Sequence, residues 1–130
     1  MTRFASLQAL WESSDIVVIC CLLTDETRGM IRREMVERAR PGAVIVNTSR
    51  GEVVNELELR EVLERRPDLT FCADVLTGEV QDRHQRSPLM DLVQSGRILV
   101  TPHMAGASTE SQEKAAGIVL SYLEREAARW

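Results

Sequence analysis

Residues 15–21, DIVVICC, form an unbroken apolar run, rich in β-branched residues, behind a single aspartate. The run lacks the period-two alternation of a half-exposed strand, so it predicts a strand covered on both faces of a parallel sheet. Parallel strands need a crossover segment between them, usually a helix, and the flanking sequence supplies such segments. Upstream, residues 6–14 carry Leu7, Leu10 and Trp11 at helical spacing and close on Ser13 and Ser14. Downstream, a polar loop over 24–29 leads to Ile31, Met35, Val36 and Ala39 on one helical face, which must stop before Pro41.

The alternation continues to the end of the chain. Residues 43–46 read as the next strand, and Asn55 with Glu58 three residues later is a capping-box signal for a helix carrying Leu59, Val62 and Leu63, ended by Pro67. Residues 70–75 predict a third strand, 76–88 a loop, 89–94 a short helix and 97–100 a last strand. A long helix follows from Ser108 or Thr109, with Gln112 as capping partner and Ala115, Ile118, Val119, Tyr122 and Leu123 as its apolar face. There are no repeats, low-complexity tracts or linkers. Residues 1–130 therefore read as one α/β domain, a partial Rossmann-like, doubly wound parallel sheet with flanking helices.

Composition excludes several functions. With 130 residues, 44% apolar and 28% charged, the chain suits one globular domain able to bury a core. A net charge of -4 argues against nucleic-acid or cationic membrane-surface binding, since both need a basic patch. The longest apolar run, 16–23, is too short to span a bilayer, and no basic segment precedes an apolar stretch as in a secretory signal; a cytoplasmic location is expected. Cys20, Cys21 and Cys72 fit no zinc spacing and read as reduced core residues, and no metal is implied.

In sheets of this kind ligands bind at the carboxyl ends of the strands. Three polar clusters fall there: Asn47-Thr48-Ser49-Arg50, Asp74 with the loop reaching Glu79, and Thr101-Pro102-His103. Arg50 offers a permanent cationic fork suited to a carboxylate or phosphate. His103 can exchange a proton near neutral pH, with Glu79 or Asp74 to hold a ring nitrogen. Together these groups suit reduction of a 2-keto acid, with Arg50 gripping the carboxylate and His103 protonating the oxygen. Taken singly, each has a plainer explanation: an arginine after a strand is usually a solvated charge, Asp74 can cap a turn, Glu79 can be surface, and Gly51 and Gly106 can simply supply positive φ. His84 lies in a polar run and carries no role. A Ser49, His103 and Asp74 hydrolase is disfavoured, because no G-x-S-x-G surrounds any serine.

Four blocks, SDIVVICCLLTDETRGMI (14–31), RPGAVIVNTSRGEVVNE (40–56), FCADVLTGE (71–79) and ILVTPHMAGAST (98–109), resemble in order and spacing the NAD-binding domain of the D-isomer-specific 2-hydroxyacid dehydrogenases. The resemblance implies NAD or NADP as cofactor and a small 2-keto or 2-hydroxy acid as substrate. Arg50 matches the arginine that binds the substrate carboxylate, His103 the acid/base, and Glu79 the carboxylate that orients that histidine. Asp74 matches the contact to the nicotinamide amide, with Thr48 and Ser49 beside the cofactor and Met104, Ala105 and Gly106 lining its nicotinamide end. Two departures stand out. Leu22 and Asp25 replace the usual prolines of the first loop, which implies a less rigid path there, and no G-x-G-x-x-G occurs anywhere.

The resemblance implies that Met1 begins partway through the cofactor domain, without the pyrophosphate loop, the residue that selects NAD over NADP, or the substrate-closing domain. Such a piece would expose apolar faces and a sheet edge, to be covered by a second copy as a homodimer or by the missing part of the enzyme. Two functions follow as expectations: part of a 2-hydroxyacid dehydrogenase, or a non-catalytic interaction module that keeps the scaffold and has little activity alone.

Overall fold

The computed structural model describes residues 3–78, 87–127 and 129. Glu79 and His84 lie outside the described residues. The chain opens on α1 (Leu7–Ser13), whose first turn is capped by the Ser6 hydroxyl accepting from the Ala9 amide at 3.1 Å. β1 (Ile16–Ile19) and α2 (Arg33–Glu37) follow, then β2 (Val44–Asn47). A 3-10 turn over Gly51–Val53, absent from the sequence-based expectation, leads into α3 (Glu56–Arg65). The predicted Asn55 cap is present: its side chain accepts from the Glu58 amide and its Nδ2 donates to the Glu58 carboxylate at 2.7 Å. β3 (Thr70–Ala73), α4 (Met90–Gln94), β4 (Leu99–Val100) and α5 (Thr109–Ala127) complete the alternation. β1, β3 and β4 are shorter than the runs that predict them, and β2 is shifted by one residue.

The four strands are parallel and lie in the order β1-β2-β3-β4, with Val17, Ile45 and Phe71 aligned across the first three. This is the expected Rossmann-like α/β class. Every crossover steps the same way along the sheet, and right-handed crossovers then place α2, α3 and α4 on one face. There Val17, Ile19, Ile45, Phe71 and Ala73 meet Trp11, Val36, Leu59, Leu63 and Leu89 in a single buried core.

One-sided helices correct the expectation of strands buried on both faces. β1 alternates exposed and buried, with Ile16 63% and Val18 55% exposed on the open face. The cysteines are free, as expected, but none is fully buried, and of the three Cys21 packs against the core. Cys20 is exposed and Cys21 and Cys72 are half-buried. Cys72 alternates with buried Phe71 and Ala73 along β3, which turns it to the open side. α5 likewise departs from expectation, since none of its described residues is buried and Ile118, Val119, Tyr122 and Leu123 are all exposed. Its apolar side has no described surface to pack on.

Candidate active site

The ladder of the sheet continues one residue past its strands. Thr48 donates its amide to the Ile19 carbonyl at 3.1 Å, Asp74 to Asn47 at 2.9 Å, and Thr101 to Ala73 at 2.9 Å. Three strand ends are thereby aligned on one rim, where the polar clusters were expected to converge.

Asn47 fixes the first cluster. It continues the inward-facing side of β2 and is only 1% exposed, so its amide must find partners inside the protein. Its Oδ1 accepts from the Ser49 amide at 3.0 Å and its Nδ2 donates to the Arg50 carbonyl at 3.0 Å, which curls the backbone into a turn and turns Arg50 outward. The buried Ser49 hydroxyl ties the turn to the Cys21 carbonyl. Arg50 is exposed, and one arm of its guanidinium donates to the Ser49 carbonyl at 2.7 Å; among the described residues no acid pairs with it. Its remaining donors can face a ligand.

Asp74 fixes the third cluster. Its buried carboxylate accepts from the Thr101 hydroxyl at 2.5 Å and from the amides of Met104 and Ala105 at 2.9 Å each. Burial pushes this carboxyl up, but the Thr101 hydroxyl, the two amides and the nearby His103 outweigh it and hold the group below its usual range. His103 sits inside the loop so closed, at φ 52°, with its amide donating to the carbonyls of Asp74 and Thr101. A non-glycine residue in that region needs its surroundings to hold it there, and the Asp74 bonds do so.

Thr48, Arg50, Asp74, His103, Ala105 and Gly106 line one open cleft. Met104 borders the adjoining depression with Thr101. Ser49 does not line that cleft; it borders a separate hollow with Cys20–Leu23, which it reaches because its side chain points back towards β1. The first loop lacks its prolines but is closed by threonines: Thr27 Oγ1 donates to the Leu22 carbonyl at 2.6 Å and accepts from the Thr24 amide at 2.8 Å.

Both glycine expectations need correction. Gly51 does not have positive φ; a Cβ there would lie 2.1 Å from the Thr77 amide nitrogen, so the residue is small because the backbone at Leu76 and Thr77 crosses against it. Gly106 has neither positive φ nor a close neighbour. Two polar residues carry more of the architecture than their sequence positions suggested. Asn47 could have been recognised by its period-two alignment with Ile45. Glu56 is 5% exposed and could have been recognised by its helical alignment with the buried Leu59 and Leu63. The Asn55 and Glu58 capping signal drew attention away from it.

Residues 1–105 match the family model described as "D-isomer specific 2-hydroxyacid dehydrogenase, NAD binding domain". The chain is 37% identical over 114 residues to the erythronate-4-phosphate dehydrogenase of Azotobacter vinelandii, covering 84% of the chain and 28% of that protein. It is 32% identical over 118 residues to the hydroxypyruvate reductase of Thermotoga maritima, covering 91% of the chain and 37% of that protein. A D-isomer specific 2-hydroxyacid dehydrogenase from Xanthobacter autotrophicus, solved with NADPH and MES, superposes with a TM-score of 0.68 at 31% identity, over 94% of this chain and 48% of that one. The chain thus spans about a third of the length of these curated relatives. On that match the chain belongs to the NAD-binding domain family of the D-isomer specific 2-hydroxyacid dehydrogenases.

Proposed function

We propose that the chain is the catalytic-rim portion of an NAD- or NADP-dependent oxidoreductase acting on a small 2-keto or 2-hydroxy acid. The observation that carries this reading is the single cleft shared by Arg50, Asp74, Thr48 and His103. The residues present suit the nicotinamide end of the cofactor: the cleft opens at the carboxyl ends of parallel strands, with Thr48 and the 105–106 backbone on its walls. Bound there, the cofactor supplies the hydride that C2 of the keto acid accepts. The chain's own residues do the rest. Arg50 grips the substrate carboxylate with its free arm and draws charge toward the neighbouring carbonyl. His103 gives its proton to the carbonyl oxygen, which becomes the hydroxyl of the product, and takes it back in the reverse direction. Glu79 steadies the imidazole, and Asp74 holds the loop that presents it.

The chain contains no G-x-G-x-x-G to cradle a pyrophosphate, so cofactor binding by this chain alone is expected to be weak. Among the described residues no helix is long and apolar enough to cross a membrane. A second reading, an interaction module, draws on the open sheet face and the uncovered α5. Either a second copy as a homodimer or the remainder of the enzyme would cover that face. NADH consumption with glyoxylate, hydroxypyruvate and pyruvate separates the two readings. A rate that falls by about two orders of magnitude or more in Arg50→Ala is expected, from the loss of a charged contact to the reacting acid. An undiminished rate would remove Arg50 from the mechanism, and no rate in either protein would leave the module or an inactive fragment.

A further inference from the structure

Glu56 is a carboxylate in the core; it closes the 40–56 block, but neither the roles that the resemblance assigns nor the rim described above uses it. It stands on the first turn of α3, and two donors from distant parts of the chain converge on it. The Thr77 amide donates to Oε1 at 2.8 Å, and the Ser87 hydroxyl donates to Oε2 at 2.5 Å. Ser87 in turn accepts from the Leu89 amide at 3.0 Å, at the start of α4. Thr77 and Ser87 lie ten residues apart along the chain, so a single side chain joins two separate parts of it.

The same side chain is tied stiffly to Arg50. Only the 3-10 turn Gly51–Val53 and two residues separate them; the Val54 amide donates to the Gly51 carbonyl at 2.9 Å, and Val53 and Val54 are buried. Thr77 is held at both ends of this short link. Gly51 presses on its backbone nitrogen so closely that a methyl group would not fit, and Glu56 accepts the proton of that same nitrogen. The path from Asp74 to Gly78 is therefore registered against the residue that presents the guanidinium. Burying a carboxylate is costly unless donors satisfy it, and here both oxygens are satisfied by the backbone and hydroxyl they locate.

We propose that Glu56 is a positioning residue: by holding Thr77 and Ser87 on its two oxygens, it fixes the 76–77 backbone against the turn that presents Arg50. This deepens, and rests on, the assignment of Arg50 as the carboxylate grip.

The test uses the whole chain with Glu56→Ala, Glu56→Gln and, as a separate control, Arg50→Ala. Amide hydrogen exchange reads the clamp. In Glu56→Ala, Thr77 and Leu89 are expected to exchange about tenfold faster or more, while Ile45 and Phe71 in the sheet keep their rates. In Glu56→Gln, the amide oxygen can still accept from Thr77 and the amide nitrogen can donate to Ser87, so protection should return. An unchanged Thr77 rate in Glu56→Ala overturns the clamp. Positioning is read with carbon-13-labelled oxamate, a carboxylate joined to a carbonyl, through the ligand's own NMR signal. The oxamate midpoint is expected to rise about fivefold in Glu56→Ala and to recover in Glu56→Gln. A carboxyl that only braced the fold would lower thermal stability and leave the midpoint where it was, and that outcome overturns positioning. Should Arg50→Ala bind oxamate as well as the parent, or the parent not bind it at all, the carboxylate grip fails and the positioning role with it. The exchange rates would still decide separately whether Glu56 clamps.

Discussion

Gly51 has no room for a methyl group, and its neighbour Arg50 is the residue whose placement matters most for the proposed chemistry. Since a Cβ would meet backbone rather than a flexible side chain, Gly51→Ala must move the 76–77 stretch or the turn itself. A loss of about 1–3 kcal/mol is expected, with the urea midpoint as the measurement; a midpoint within experimental error of the parent would show that the two stretches part easily. Titration separates the two buried acids on the rim and beneath it. Burial raises the Glu56 carboxyl above its usual value near 4.5, against the opposing pull of the Ser87 hydroxyl and the Thr77 amide. The folded state then holds that proton more tightly than the unfolded chain does. Its stabilising contribution is complete below about pH 4.5 and is lost as pH rises through the raised value. Asp74 behaves oppositely: held below its usual 3.8, it contributes above that pH and the contribution fades as pH falls through the lowered value. Stability curves of the parent minus Glu56→Gln should therefore decline as pH rises from about 4.5. The same difference for Asp74→Asn should shrink on acidification below about 4.

At the scale of elements, local signals were read well wherever the cause was local. The Asn55 cap depends on residues three apart, and both of its hydrogen bonds to Glu58 are present. Asn55→Ala should cost about 1 kcal/mol, measured by chemical denaturation, and a cost near zero would mean that packing of Leu59 and Leu63 alone sets the start of α3. The helix boundaries near Pro41 and Pro67 were legible for the same reason, since a proline constrains the residue before it. The 3-10 turn over Gly51–Val53 was not, because the backbone that crosses against it comes from 76–77, far from it in the sequence. α5 shows the reverse case. Its apolar spacing was read correctly as helix, yet periodicity says only which side would be buried, not whether a partner is present.

For the molecule as a whole, the decisive fact is that one face of the sheet is covered and the other is not. Ile16, Val18 and Leu99 stand on the open side, and β1 forms an edge of the described sheet. Apolar surface of that kind drives association. Sedimentation of the chain at increasing concentration is expected to show self-association, and Val18→Lys should weaken it while shifting folding stability by no more than about 0.5 kcal/mol, because the side chain is already exposed. A monomer at every concentration would mean that the open face needs a different partner.

The residues by themselves determined the alternation of strands and helices, the parallel class of the sheet, and the three polar clusters at strand ends, because hydrophobic period, caps and prolines act over a few neighbouring positions. Tertiary structure alone decided which side of the sheet is covered, that Ser49 points away from the cleft, and that Asp74 spends its carboxylate on the loop of His103. It also decided that Glu56 joins Thr77 to Ser87. Each of these depends on groups that lie more than twenty residues apart along the chain. Which of them meet is set by the direction of the crossovers and by the need of every buried polar atom for a partner.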